Sequence, residues 1–218
     1  MSREFVLTAA HCMFKPLGKG KRRIAPNDFM VNVNDHDVTT NDGEREANVK
    51  KIIIHPKYRT IDIENLERCN WDYDFALLQL DAPQNQEYIC LPNPGNKYTT
   101  SAVTAGWGLD DNNISPMTPI EVYLETSKNR DCPVARLTNN MICGSASGRI
   151  GSCFGDSGGP LMVGKTIIGV VSFITYPKGN KFKCGAGPTV FARVASQLAW
   201  IKSYVDGTCT NPVRPVSF

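Results

Sequence analysis

The most constraining feature of this 218-residue chain is its succession of short apolar runs, each closed by turn residues. FMVNVND, VKKIIIH, FALLQL, SAVTAGW, GPLMV, TIIGVVSF and TVFARV are rich in Val, Ile and Phe. Turn clusters divide them at Asn41–Gly43, Pro92–Asn96 and Pro177–Asn180. Such runs predict many short strands, hence an all-β barrel or sandwich. One stretch differs. Val194, Leu198, Ile201 and Val205 recur at three- and four-residue steps, which predicts a single late helix.

Eight cysteines constrain the setting. With no CxxC pair and three histidines, their spacing fits no zinc pattern. They predict disulfides and an oxidising compartment. No apolar run is long enough to cross a bilayer. A net charge of +3 gives no reason to invoke nucleic acid. Lys15–Arg23 reads as a basic, glycine-containing surface loop, with a polyanion patch or a nicking site as sharper readings.

Three segments carry chemistry: VLTAAHC at Val6–Cys12, DFALLQL at Asp74–Leu80, and GSCFGDSGGPL at Gly151–Leu161. Peptide hydrolysis at neutral pH needs a nucleophile stronger than a free serine hydroxyl. A histidine supplies the base, and a buried carboxylate fixes its tautomer and steadies its cation. Glycines beside the serine permit a tight turn and close approach of substrate. His36 and His55 lack such surroundings and read as structural.

These segments, in the order His, Asp, Ser, resemble the motifs of chymotrypsin-like serine proteases. AGWG at Ala105–Gly108 and the closing ARV…LAWIKSYV also fit, so the resemblance runs from about residue 5 to about residue 205. It implies two antiparallel six-stranded-type β barrels with a cleft between them. Residues 1–92 would form an incomplete first barrel, 93–194 the second, 195–206 a C-terminal α-helix and 207–218 a tail. It implies Ser157 as nucleophile, His11 as general base and then acid, and Asp74 as the orienting carboxylate. The N–H groups of Gly155 and Ser157 would form the oxyanion hole. Ser172 would bond the triad aspartate and border the substrate.

The resemblance further implies disulfides Cys132–Cys143 and Cys153–Cys184. It leaves Cys12, Cys69, Cys90 and Cys209 unassigned, with Cys90 at a position that often ties the protease to a separate N-terminal chain or domain. It implies that Asp156 receives the ammonium freed by zymogen activation. No activation-type segment precedes Val6, so the expectation is a chain cut upstream, poorly folded or inactive for want of that cation.

By the same resemblance Gly151 lies at the floor of the specificity pocket, and Ile174 and Thr189 line its walls. An uncharged floor with bulky walls is similar to elastases and implies small aliphatic preference, unless Ile174 blocks the pocket. Asp35, Asp37, Asp42 and Glu44 fall where some members hold calcium, though an acidic hydrated loop is the favoured reading and no cofactor is expected. Asn113-Ile-Ser is a glycosylation sequon weakened by Pro116. The expected protein is therefore a secreted serine endopeptidase that meets peptide substrates and protease inhibitors, away from nucleic acid and membranes. The alternatives are a silent homologue acting as a binding or regulatory module, or an inactive fragment.

Overall fold

The computed structural model describes residues 2–17, 20–59, 71–85, 87–95, 100–110, 112–134, 137–148, 150–175 and 184–205. The fold is mostly β, as the apolar runs predict. In the first half, β1 (Phe5–Thr8), β4 (Met30–Val33), β5 (Arg45–Ile54) and β6 (Ala76–Leu80) form a curled four-stranded sheet in the order β1-β6-β5-β4. Among the described residues, β1 and β4 are its edges.

The second half is a closed barrel of six strands. These are β7 (Ser101–Gly106), β8 (Ile120–Ser127), β9 (Met141–Ser145), β10 (Pro160–Val163), β11 (Thr166–Ile174) and β12 (Thr189–Arg193). Closure comes from β10 pairing β7, with Leu161 opposite Thr104. Leu124, Ile142, Leu161, Ile168, Val171 and Phe191 fill its interior. Inward and outward side chains alternate as pleated strands require, except in β11, where the pairing with β10 shifts register and Ile168 and Val171, three residues apart, both enter the interior.

The structure departs from the sequence reading in three places. The Lys15–Arg23 stretch, read as a loop, carries a hairpin of β2 (Phe14–Leu17) and β3 (Gly20–Arg23). β1, β8 and β9 were not among the predicted runs. In β8, Leu124 and Thr126 are buried between exposed Glu121, Tyr123 and Glu125, so its apolar content is low although its period is that of a strand. The late helix is narrower than 195–206. Val194–Gln197 is a 3-10 turn and the α-helix α1 spans only Leu198–Lys202. Val194 and Gln197, three residues apart, are both buried, which suits three residues per turn. The four residues of the predicted apolar face are buried all the same.

The halves share one core. Leu7, Phe75 and Leu77 from the curled sheet pack with Ile167, Val170 and Ala192 from the barrel and with Val194, Leu198 and Ile201 from the C-terminal segment. This shared core fixes how the two halves meet, and therefore the cleft.

Candidate active site

The site is assembled from loops at the junction of the halves. β1 runs into the fully buried pair Ala9 and Ala10, and a 3-10 turn over Ala10–Met13 then presents His11. Asp74 lies between a second 3-10 turn (Trp71–Tyr73) and β6, anchored by the fully buried Phe75. Ser172 comes from β11 of the barrel.

Asp74 is 0% exposed. A carboxylate so deep is costly unless its oxygens are satisfied. Three donors meet it. His11 N–H donates to Oδ1 at 2.9 Å, His11 Nδ1 lies 2.8 Å from Oδ2, and Ser172 Oγ donates to Oδ2 at 2.6 Å. A proton on Nδ1 leaves Nε2 with its lone pair, the tautomer a general base requires. Burial works against the imidazolium. The hydrogen bonds and charges of Asp74 and Cys12 outweigh it, and the His11 pKa stands above its ordinary value.

The Ser157 loop lies against the His11 turn. Cys12 Sγ is 3.5 Å from the Ser157 carbonyl oxygen. Gly158 has φ +84°, and a Cβ there would come within 2.2 Å of Thr8 Oγ1. Only glycine fits both conditions. Among the described residues no hydrogen bond joins His11 to Ser157, a looseness common in unliganded sites.

Asp156, half-buried, accepts N–H bonds from Gly108 (2.9 Å) and Cys153 (2.8 Å). The cost expected of an uncompensated carboxylate is thereby met in part by backbone dipoles. Gly155 stands exposed at φ +102°, its N–H carried by a loop that Asp156 pins to the Ala105–Gly108 segment.

At the implied pocket, Ser152 N–H donates to Thr189 Oγ1 at 3.3 Å. A Cβ on Gly151 would lie 3.5 Å from that same oxygen, so the Thr189 hydroxyl borders the floor position. Ile174 pairs with Thr189 across the β11–β12 ladder. Sequence reasoning missed Ser152, whose buried Oγ has no hydrogen-bond partner among the described residues. It also missed an aromatic wall. Trp71 stands edge-on to His11 with ring centroids 6.0 Å apart, and 5.3 Å from the Phe173 ring. Trp71 lies outside every apolar run; Phe173 closes the run TIIGVVSF, so its strand was readable from sequence but its place against Trp71 was not.

Cys132–Cys143 and Cys153–Cys184 are both formed. Cys12 is free. Cys90 is itself disulfide-bonded, so its sulfur is already engaged rather than held ready for a separate chain. Cys69 and Cys209 lie outside the described residues, as do the Pro177–Asn180 turn and the tail. His55 is buried, stacked on Tyr73 and edge-on to Trp200.

The acidic loop is occupied locally. Asp37 accepts from Thr39, Asp42 from the Asp37 N–H, Glu44 from the Asp42 N–H, and Asp35 from Asn32. Among the described residues no three His, Cys, Asp or Glu side chains gather as a metal set, and no helix is long and apolar enough to cross a membrane.

Comparison with known proteins agrees with this fold. A family model described as Trypsin matches residues 1–201. Chymotrypsin-like elastase family member 1 of Canis lupus familiaris is 30% identical, over 92% of this chain and 77% of the relative. Trypsin 5G1 of Aedes aegypti is 32% identical over 93% and 72%. Kallikrein-15 of Homo sapiens is 31% identical over 93% and 78%. Among solved structures, neuropsin, a serine protease expressed in the limbic system of mouse brain, superposes with a TM-score of 0.73 at 24% identity, covering 93% of this chain and 85% of that one. A curled sheet and a closed barrel with a buried Asp74 bonded to a half-buried His11 at their junction, matched by a family model over nearly its whole length, place this chain in the trypsin family of serine proteases.

Proposed function

We propose that this protein is a serine endopeptidase that cleaves through an acyl-enzyme, with His11, Asp74 and Ser157 as its triad. The observation that carries the reading is the fully buried Asp74, bonded at once to His11 and to Ser172. A carboxylate sealed from water and aimed at Nδ1 has no evident structural purpose except to hold the ring with Nε2 free. The bonds follow from that. Ser157 Oγ attacks the substrate carbonyl carbon as its proton passes to His11 Nε2. The carbonyl oxygen becomes negative and is met by the Gly155 and Ser157 N–H groups. His11 then returns the proton to the leaving amine, and water repeats the sequence on the ester.

Small aliphatic side chains before the cleaved bond are the preferred substrates in this reading. Gly151 brings no charge, while Thr189 and Ile174 take up space. Size discrimination in such a pocket is modest, about 1–3 kcal/mol per methylene. The disulfides and the secreted nature of such proteases support an extracellular setting.

The test is a fluorophosphonate probe on the activated protein, with the labelled residue mapped by mass spectrometry. Labelling at Ser157, lost in Ser157→Ala, is the expected result. An unlabelled Ser157 in a folded, activated protein would favour the silent, binding-module reading instead.

A further inference from the structure

Asn113-Ile114-Ser115 is the one Asn-x-Ser/Thr triplet in the chain, and the catalytic reading leaves it unused. The middle position, which must not be proline, is filled by Ile114, and Pro116 stands outside the triplet. The structure puts the triplet at the tip of a turn. Asp110 N–H donates to the Ile114 carbonyl at 2.9 Å, and Asn113 N–H to the Asp110 carbonyl at 3.0 Å. The Asp110 carboxylate braces the turn from within, accepting from the N–H groups of Asn112 (2.8 Å) and Ile114 (2.9 Å). Asn113 stands there at φ +59°, a left-handed conformation that asparagine adopts more readily than most side chains. Asn112, Asn113, Ile114 and Ser115 are all exposed. Among the described residues the Asn113 side-chain amide makes no hydrogen bond.

The turn hangs at one edge of the candidate site. It follows the Ala105–Gly108 segment, against which Gly155 rests so closely that a Cβ on Gly155 would lie 3.0 Å from the Gly108 Cα. Leu109 N–H donates to the Phe154 carbonyl at 2.8 Å and ties the root of the turn to the same loop. Past the tip, the Met117 carbonyl accepts from Trp107 Nε1–H at 3.3 Å and from the Val38 N–H at 3.1 Å. Val38, Trp107, Ile114, Met117 and Phe154 are thereby gathered along one rim, and every one of them is exposed. An apolar patch left open to water invites association unless something covers it.

We propose that Asn113 carries an N-linked glycan whose first sugars lie over this patch. The disulfides point to the oxidising secretory compartment in which such chains are added. In the transfer, Asn113 Nδ2 loses a proton and bonds to the anomeric carbon of the first sugar. The bond from that carbon to a lipid-linked pyrophosphate breaks, and the pyrophosphate leaves; nothing is oxidised or reduced. A glycan is bulky and solubilising, and the tip of an exposed turn admits it without disturbing the packed strands behind. Ile114 lies at its base, and Trp107, Met117 and Phe154 lie along the rim that it covers. The assignment holds whether or not the chain is a working peptidase, because it rests on the turn, its triplet and the patch beside them.

The experiment takes the protein from its natural source, digests it to peptides and treats them with peptide N-glycosidase in heavy-oxygen water. The expected result is a glycopeptide before treatment and, after it, position 113 recovered as aspartate carrying heavy oxygen. In the protein secreted from eukaryotic cells, Asn113→Gln and Ser115→Ala should lose the same glycan mass, since each breaks the triplet at a different residue. Recovery of position 113 only as plain asparagine would overturn the proposal, and so would a mass that neither variant lowers. The cover over the patch is read on the folded glycoprotein with an anilinonaphthalene sulfonate probe. Removing the glycan should brighten the probe. Ile114→Ser/Met117→Ser keeps the triplet and should abolish that rise, with circular dichroism as the check on folding. Probe emission that glycan removal leaves unchanged would overturn the placement of the sugars. Neither assay reads turnover, so failure here is distinct from failure of the peptidase reading.

Discussion

At the residue scale, the chemistry turns on Asp74 and the donors around it. Asp74→Asn keeps the size but offers His11 an amide in place of a carboxylate, which favours the wrong tautomer. The expected loss in kcat/KM is roughly 10⁴-fold with KM little changed, read from steady-state kinetics. The raised His11 pKa has a defined sign. A general base works only when neutral, so the acidic limb of kcat/KM should lie alkaline of about pH 6.5 and move down in Asp74→Asn. For stability the sign is opposite: the His11–Asp74 contribution is full below the unfolded value and fades as pH rises through the folded one. A pH series of urea midpoints on wild type and His11→Ala checks this. His11, Asp74 and Ser157 could be singled out as candidates because each sits in a run whose composition is explained by chemistry. Ser152, Trp71 and Phe173 were not, since what they do depends on neighbours distant in sequence.

At the level of elements, the barrel shows how tightly interior positions are specified. A Cβ at Gly169 would lie 2.9 Å from the Phe191 Cβ and 3.3 Å from that of Leu161. Gly169→Ala should therefore destabilise by about 1–3 kcal/mol through overpacking, despite the usual strand preference for a side chain. Denaturant unfolding measures it. Strands with uniform apolar runs, such as β6 and β11, could be read from sequence. β8 could not, because half its residues face solvent, two of them charged, Glu121 and Glu125. The β2–β3 hairpin was hidden by its cations, which obscure the period a strand would otherwise display.

For the whole molecule, the core shared by both halves predicts concerted unfolding. Leu198 and Ile201 share one core cluster with residues of the sheet and of the barrel. Ile201→Ala should cost about 2–5 kcal/mol, and fluorescence and far-ultraviolet dichroism should move together to lower urea. Separate transitions for the two halves would contradict this. The overall architecture was legible because alternation of strands and turns persists along the chain. The closed ring of six strands was not, since closure is set by pairings such as Leu161 with Thr104, which no local pattern encodes.

The bond from Ser172 to Asp74 joins a hydroxyl of one half to a carboxylate of the other. In effect the molecule carries its own integrity check. On the proposed peptidase reading, nicking or local melting in either half would break that bond and remove a term from a logical conjunction, so damage would end in quiet failure rather than in indiscriminate cutting.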